Sequence, residues 1–371
     1  MPIYSYANEG TNEELISVRV AVAKDVDSVK LAIVGNYKMV NLVTKEVLLE
    51  ERYLPSSNLT PTKEGFKIGD MSVVADAIAI EPIGGARVYI DGRIFRGEIK
   101  VLKREQGLLV INTVNLEEYL YGVIRNEVST WWPIEAIKAQ VIAARTYALY
   151  QIKDSKGKDY DVTADVSSQV YGGIFSEKWR TNKAVDKTKG KVLAYNGAIF
   201  PAYYHATCGG STFDASYLWK IDLPPLKGVK CGWCKRSPHY SWEKWVPRQE
   251  VRAKLEKAGY VVGDIAGFEP TKKDRSGSGR ILEIRIKGNI TNVDILAKDF
   301  RRIIGTDVLR SANFKVTIIG PYVAFEGLGW GHGVGMCQWG AYYMARRGKK
   351  MEEILNFYYP ASKIVDYKDV K

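Results

Sequence analysis

Histidine is nearly missing from this chain, with three copies in 371 residues, and cysteine is almost as scarce, with four. So few cysteines exclude the disulfide scaffold of a small secreted domain. The longest apolar stretches, such as Val73–Ile83, fall short of the run of about 18 residues that a membrane-crossing helix needs, and this one carries Asp76 and Glu81. The opening Met1-Pro-Ile-Tyr-Ser-Tyr6 lacks the basic and apolar regions of a signal peptide, so any export segment is expected to lie outside this chain. Runs of five or more basic residues, low-complexity tracts and internal repeats are all lacking. What remains is an ordinary globular composition, 46% hydrophobic and 26% charged, which excludes disorder, collagen and coiled coil. Lys and Arg number 54 against 42 acidic residues, a net charge of +12 that calls for an anionic partner: nucleic acid, anionic membrane or acidic polysaccharide.

Two patterns divide the chain. Ile16–Val22 and Val29–Ile33 alternate as strands do, and Lys45–Arg52 does so less strictly, so residues 1–112 are expected to form a β-rich N-terminal region. Asn115 and Glu118 have capping-box spacing ahead of a helix over Leu116–Arg125, and a second helix is predicted from Pro133 to about Lys153. Ser176–Lys189, Pro247–Ala258 and Val293–Ile304 also read as helices, and Arg280–Lys287 as a strand. Asn196-Gly197 marks a hairpin between Lys191–Tyr195 and Ala198–His205. Gly327–Gly335 has five glycines in nine residues and must be loop, ahead of a closing helix over Met336–Arg347. The expected fold is α+β: the β-rich region, then a helix-and-sheet catalytic region over 113–371 with an α+β insertion at about 240–318.

The candidate chemistry is sparse. No Gly-x-Ser-x-Gly elbow supports a serine hydrolase. Cys208 and the pair Cys231-Gly-Trp-Cys234 have the spacing of a structural zinc site, with His205 or His239 completing Cys₃His; the alternative is a disulfide plus a free thiol. Cys337, at the start of an apolar helix, reads as a small buried hydrophobe rather than a nucleophile. Glu127 follows the first helix beside Trp131 and Trp132, surroundings that can raise a carboxyl pKa as a general acid requires. Lys138 and Arg145 sit two turns apart on the second helix, able to line one cleft with Glu127. Surface ion pairs on amphipathic helices would explain the same charges.

The motifs then converge. Val114–Val128, Pro133–Ala148, Ser168-Gln-Val-Tyr171, Tyr204-His-Ala-Thr-Cys-Gly-Gly210, Ser237–Trp242, Gly329–Ala341 and Ile354–Pro360 together resemble the signature of the stage II sporulation protein D family, in family order from Val114 to the C-terminus. The resemblance implies a peptidoglycan lytic transglycosylase that cleaves glycan strands stripped of stem peptides, with Glu127 as the single acid/base and no catalytic cofactor. It implies that Lys138 and Arg145 hold the substrate, and that Gln169, Tyr171, Tyr204, His205, His332 and Gln338 line the groove. Trp131 and Trp132 become candidate sugar-stacking surfaces. The implied partners are peptidoglycan strands and a cell-wall amidase acting upstream, not nucleic acid, and the implied location is extracytoplasmic. A wall-binding amidase activator without catalysis is the alternative.

Two departures stand out. Zinc-binding relatives carry Cys and His between the Arg-Thr-Tyr-Ala helix and the Gln-x-Tyr motif, and Lys153–Gln169 here has neither. A structural zinc would therefore use Cys208, Cys231 and Cys234, with His239 as the preferred fourth ligand because relatives keep the Tyr-His pair without the cysteine. Cys337 replaces the serine that usually precedes Gln-Trp-Gly.

Overall fold

The computed structural model describes residues 16–370, which divide into two compact units: residues up to Glu127 with Gln151–Glu177, and Val128–Tyr150 with Lys178 onward. The first unit is built on an eleven-stranded sheet. Its strands are β1 (Ser17–Val26), β2 (Val29–Asn41), β3 (Val47–Pro61), β4 (Phe66–Ile68), β5 (Met71–Val73), β6 (Ala77–Pro82), β7 (Arg87–Ile90), β8 (Arg93–Phe95), β9 (Glu98–Arg104), β10 (Gly107–Asn115) and β11 (Val162–Thr163). The main path runs β11-β1-β10-β9-β6-β2-β3-β4-β5, with β7 and β8 off β2. Alternation on β1 buries Val18, Val20 and Val22 and turns Arg19 outward, where it clamps Asp161 at 2.6 Å. That contact sits beside the parallel pairing of Val20 with Val162.

Helix α1 (Leu116–Glu127) leaves the end of β10. Asn115 caps it, its Oδ1 accepting the Glu117 amide at 2.9 Å. Glu118 pairs with Arg96 at 3.8 Å. Leu116, Tyr119, Leu120, Val123 and Ile124 form the buried stripe that the helical period dictates, each side chain contributing about 1.5–3 kcal/mol. Gly122 is required on this helix, because a Cβ there would lie 2.4 Å from the Tyr171 ring.

The second unit begins with most of α2 (Ile134–Asp154), where every residue from Ala139 to Leu149 is buried. Thr146 on this helix accepts the Leu193 amide at 2.9 Å, tying α2 to β12 (Lys191–Tyr195). Before β12 comes α3 (Trp179–Lys187), shorter than the predicted 176–189 because Gly173–Ser176 forms a separate 3₁₀ turn. The Asn196-Gly197 hairpin forms as predicted, with φ of 50° and 77°, and joins β12 to β13 (Ala198–Ile199). The predicted strand over Ala198–His205 is broken: Pro201 has no amide to donate, and β14 (Tyr204–His205) pairs elsewhere. The short α4 (Ser216–Trp219) follows.

The segment from Trp242 to Phe325 has its own apolar core, which includes Val251, Ile284, Phe300 and Phe325. Here β15 (Ser241–Pro247), α5 (Arg248–Lys257), β16 (Ile265–Lys273), β17 (Ile281–Gly288), β18 (Asn292–Leu296), α6 (Ala297–Ile304), β19 (Phe314–Ile319) and β20 (Tyr322–Leu328) make two three-stranded sheets, β15-β20-β19 and β16-β17-β18, with two helices. The predicted Val293–Ile304 helix starts late, because Val293 and Ile295 alternate and pair with β17. The remaining core gathers Phe200, Phe213, Met336, Tyr358 and Tyr359 around four cysteines. It is closed by β21 (Met336–Cys337), α7 (Gln338–Arg346), α8 (Met351–Tyr358) and β22 (Lys363–Asp366). The predicted closing helix therefore begins two residues later than expected, since Met336 and Cys337 pair in parallel with Tyr204 and His205.

Candidate functional site

In the first unit Glu127 is the last residue of α1 and is half-buried. Its Oε1 accepts the Val170 amide at 3.3 Å, so the 169–171 segment lies against the carboxyl. That segment is rigidly held. The Tyr119 hydroxyl donates to Gln169 Oε1 at 3.1 Å, and the Tyr171 hydroxyl donates to Asn112 Oδ1 at 2.9 Å. The Tyr171 ring packs on Tyr119 at 5.1 Å and Phe95 at 5.8 Å, and burial pushes its hydroxyl pKa up. Asn126 donates to the carbonyls of Gly122 and Val170, closing the same corner. Gln169 and Tyr171 are thus buried and hold the loop against Glu127.

In the second unit Lys138 bonds Glu135 at 2.8 Å, and the other Glu135 oxygen accepts the Met351 amide at the start of α8. Desolvation pushes the Glu135 carboxyl up, but these bonds outweigh it and hold its pKa low. Arg145, expected to hold substrate, is fully buried, and its guanidinium donates to the carbonyls of Val185 and Lys191 and to the Thr188 hydroxyl. It fastens the end of α3 to the start of β12. The turn before α2 is held by Arg180, which donates to the Thr130 and Trp132 carbonyls. Trp131 is 85% exposed, while Trp132 packs edgewise on Trp339 at 5.2 Å.

The two motif histidines are fixed as neutral rings. His332 Nδ1 accepts the Val334 amide and Nε2 donates to the Tyr204 carbonyl, both at 3.0 Å. Burial takes its pKa down to about 3, since a second proton would face the Val334 N–H. His205 is buried, donates Nδ1–H to the Val334 carbonyl at 3.1 Å, and is likewise pushed down by burial. Its Nε2 has no hydrogen-bond partner among the described residues. Tyr204 is half-buried; Gln338 is buried and donates to Gln140 at 3.4 Å. His205 and Gln338, both expected to line the groove, are buried.

Three of the residues expected to bind metal, Cys208, Cys231 and Cys234, come together, and Cys337 rather than a histidine stands beside them. The sulfurs of Cys208, Cys231, Cys234 and Cys337 lie within 4.8 Å of one another, all buried and none in a disulfide. His239 stands apart, its ring edge-on to Trp330 at 4.7 Å. The parallel register that sets His205 opposite Cys337 is what brings Cys337 to Cys208. Sequence reasoning missed it because the pairing is non-local; the one signal was the replacement of the usual serine. Burial pushes the Cys337 thiol up, the Cys231 sulfur pushes Cys208 up, and bonds from the Cys208 and Cys234 thiols hold Cys231 down. Arg280, also unforeseen, is fully buried beside the cluster and donates twice to the Cys208 carbonyl at 3.3 Å.

Comparison with known proteins bears on this arrangement. A family described as "Stage II sporulation protein" matches residues 104–195, and a domain of unknown function matches 232–335. The chain is 30% identical to Stage II sporulation protein D of Bacillus subtilis over 68% of its own length and 75% of that protein's. It is 26% identical to the Amidase enhancer of the same organism over 94% of its own length, spanning 56% of that protein. An uncharacterised protein of Brachyspira hyodysenteriae is 32% identical over 99% of the chain and 96% of its own length.

Proposed function

Because the chain belongs to the stage II sporulation protein D family, whose function is of the cell-wall type, we propose that it is a lytic transglycosylase acting on peptide-free peptidoglycan strands outside the cytoplasmic membrane. The observation that carries this reading is Glu127, a half-buried carboxyl at the end of α1 with one oxygen oriented by the Val170 amide. In this reaction Glu127 protonates the glycosidic oxygen between N-acetylmuramic acid and N-acetylglucosamine. The resulting carboxylate then takes the proton of the muramoyl 6-hydroxyl as that oxygen bonds C1, closing a 1,6-anhydro ring. No water is consumed, so one carboxyl serves both steps where a hydrolase needs two. Lys138 is the cation suited to the lactyl carboxylate of a stripped muramoyl residue, since an incoming carboxylate competes with Glu135 for its ammonium. Trp131, exposed on its turn, offers a face for a sugar ring.

The test is mass spectrometry of products from peptide-free strands with wild type and Glu127→Gln. Anhydro-ended fragments from wild type are expected, reduced by about 10²–10⁴ in the variant with unchanged melting temperature. Equal cleavage by both proteins, or none by a folded wild type, overturns the reading. The match to the Amidase enhancer, which takes in 94% of this chain against the 68% matched by the sporulation protein, favours a second reading in which the chain stimulates a wall amidase. Glu127→Gln would then leave the stimulation intact.

A further inference from the structure

We infer that Cys208, Cys231, Cys234 and Cys337 hold one structural Zn²⁺ as a closed tetrahedral Cys₄ site. The geometry is the first ground. A tetrahedron with Zn–S bonds of about 2.3 Å has sulfur–sulfur edges of about 3.8 Å. The four sulfurs, mutually within 4.8 Å with Cys208 and Cys234 at 3.4 Å, span such a set of edges. Paired disulfide sulfurs would instead sit about 2.05 Å apart. Cys231-Gly-Trp-Cys234 supplies two ligands from one tight corner running into the 3₁₀ turn Trp233–Arg236, and β14 and β21 bring in the other two.

The surroundings are the second ground, because they are arranged for anionic sulfur. The amides of Cys208 and Gly340 both point at Cys337 Sγ at 3.3 Å, and the Tyr358 hydroxyl lies 3.2 Å from Cys231 Sγ. Such donors are the usual outer partners of metal-bound thiolates. Gly340 leaves room for this packing, since a Cβ there would strike the Tyr358 hydroxyl and come within 3.2 Å of Cys231 Sγ.

The third ground is charge. Arg280 is fully buried beside the cluster, its guanidinium donates to the Cys208 carbonyl, and the carboxylate that acts on it, Asp274, makes no salt bridge with it. A buried guanidinium without an ion pair is costly, and four neutral thiols provide none. Binding Zn²⁺ releases the four thiol protons to solvent and leaves a centre of net charge −2 next to Arg280, a counter-charge that neutral thiols do not supply and that adds to that of Asp274. The site leaves no ligand position for substrate, so its role is to lock the 208–234 segment to the start of α7, independently of the proposed reaction.

The test is elemental analysis of the full chain, purified without chelators, alongside mass measurement of the denatured protein. About one zinc per chain and four reduced thiols are expected. Less than about 0.1 zinc per chain, another metal in its place, or a mass lower by four hydrogens from two disulfides overturns the inference. Cobalt exchange supplies a readout that does not depend on a mutant folding. Tetrahedral thiolate ligation gives intense sulfur-to-cobalt charge-transfer absorption, and a pale octahedral spectrum would refute it.

Discussion

Gly122→Ala tests how the Glu127 corner is built. The added Cβ would lie 2.4 Å from Cε2 and 2.8 Å from Cδ2 of Tyr171, a ring 2% exposed and pinned through its hydroxyl to Asn112. Such overpacking costs about 1–3 kcal/mol, while alanine gains about 1 kcal/mol over glycine inside a helix. The net loss in the wild-type background is therefore up to about 2 kcal/mol, a fall in melting temperature of up to about 8 °C at 2–4 °C per kcal/mol. In a Tyr171→Ala background the ring is gone, and the next approach is the Gly173 carbonyl at 3.2 Å. There the same substitution becomes neutral or stabilising. A four-protein cycle followed by circular dichroism should give a coupling of about 1–3 kcal/mol between positions 122 and 171. A coupling below about 0.5 kcal/mol would refute the view that Gly122 exists to admit that ring. Cleavage by Gly122→Ala should fall too, since the displaced ring carries the Val170 amide that orients Glu127.

Two further predictions concern Arg145 and His332. Arg145→Lys cannot reach the Val185 and Lys191 carbonyls together, so it should cost about 2–4 kcal/mol by thermal melting without selectively raising KM; an unchanged melting temperature with weakened glycan binding would support the substrate role. His332, with a folded pKa of about 3 against about 6.5 unfolded, binds its proton preferentially in the unfolded chain between those values. Its contribution is thus complete above about pH 6.5 and is lost as pH falls towards 3, at up to about 1.4 kcal/mol per pH unit. His332→Gln, whose amide can accept from Val334 and donate to Tyr204, should flatten urea-unfolding stability over that window, and an unaltered slope would refute the assignment.

The readable parts of this molecule are those set by neighbours in sequence. The Leu116, Tyr119, Leu120, Val123, Ile124 stripe, the Asn115 cap and the Asn196-Gly197 turn each follow from local geometry, and each is present. What escaped depends on distant partners. Val293 and Ile295 suit either period, and pairing with β17 decides for strand. Arg145 read as one cation on a helix face, yet the apolar residues on every side of α2 mean burial, and a buried arginine needs carbonyls such as those of Val185 and Lys191. Glu127 was legible as a residue type at a helix end, whereas the strut role of Gln169 and Tyr171 needed Tyr119 and Asn112 in place.

The antiparallel register of β15 with β20, which sets Ser241 opposite Leu328, also governs how the chain can assemble. Left open, the route from Cys234 to Cys337 is a loop of roughly a hundred residues. Once Ser241–Pro247 zips against Tyr322–Leu328, the effective loop shrinks to roughly twenty. Closure entropy grows only as the logarithm of length, so this shortcut saves about 1.5 kcal/mol in bringing the two ends together. The saving applies whenever the 242–325 core is formed before the glycine-rich loop reaches β14. Because the ends of that segment already touch, a short turn in its place should let the rest of the unit close over the same path.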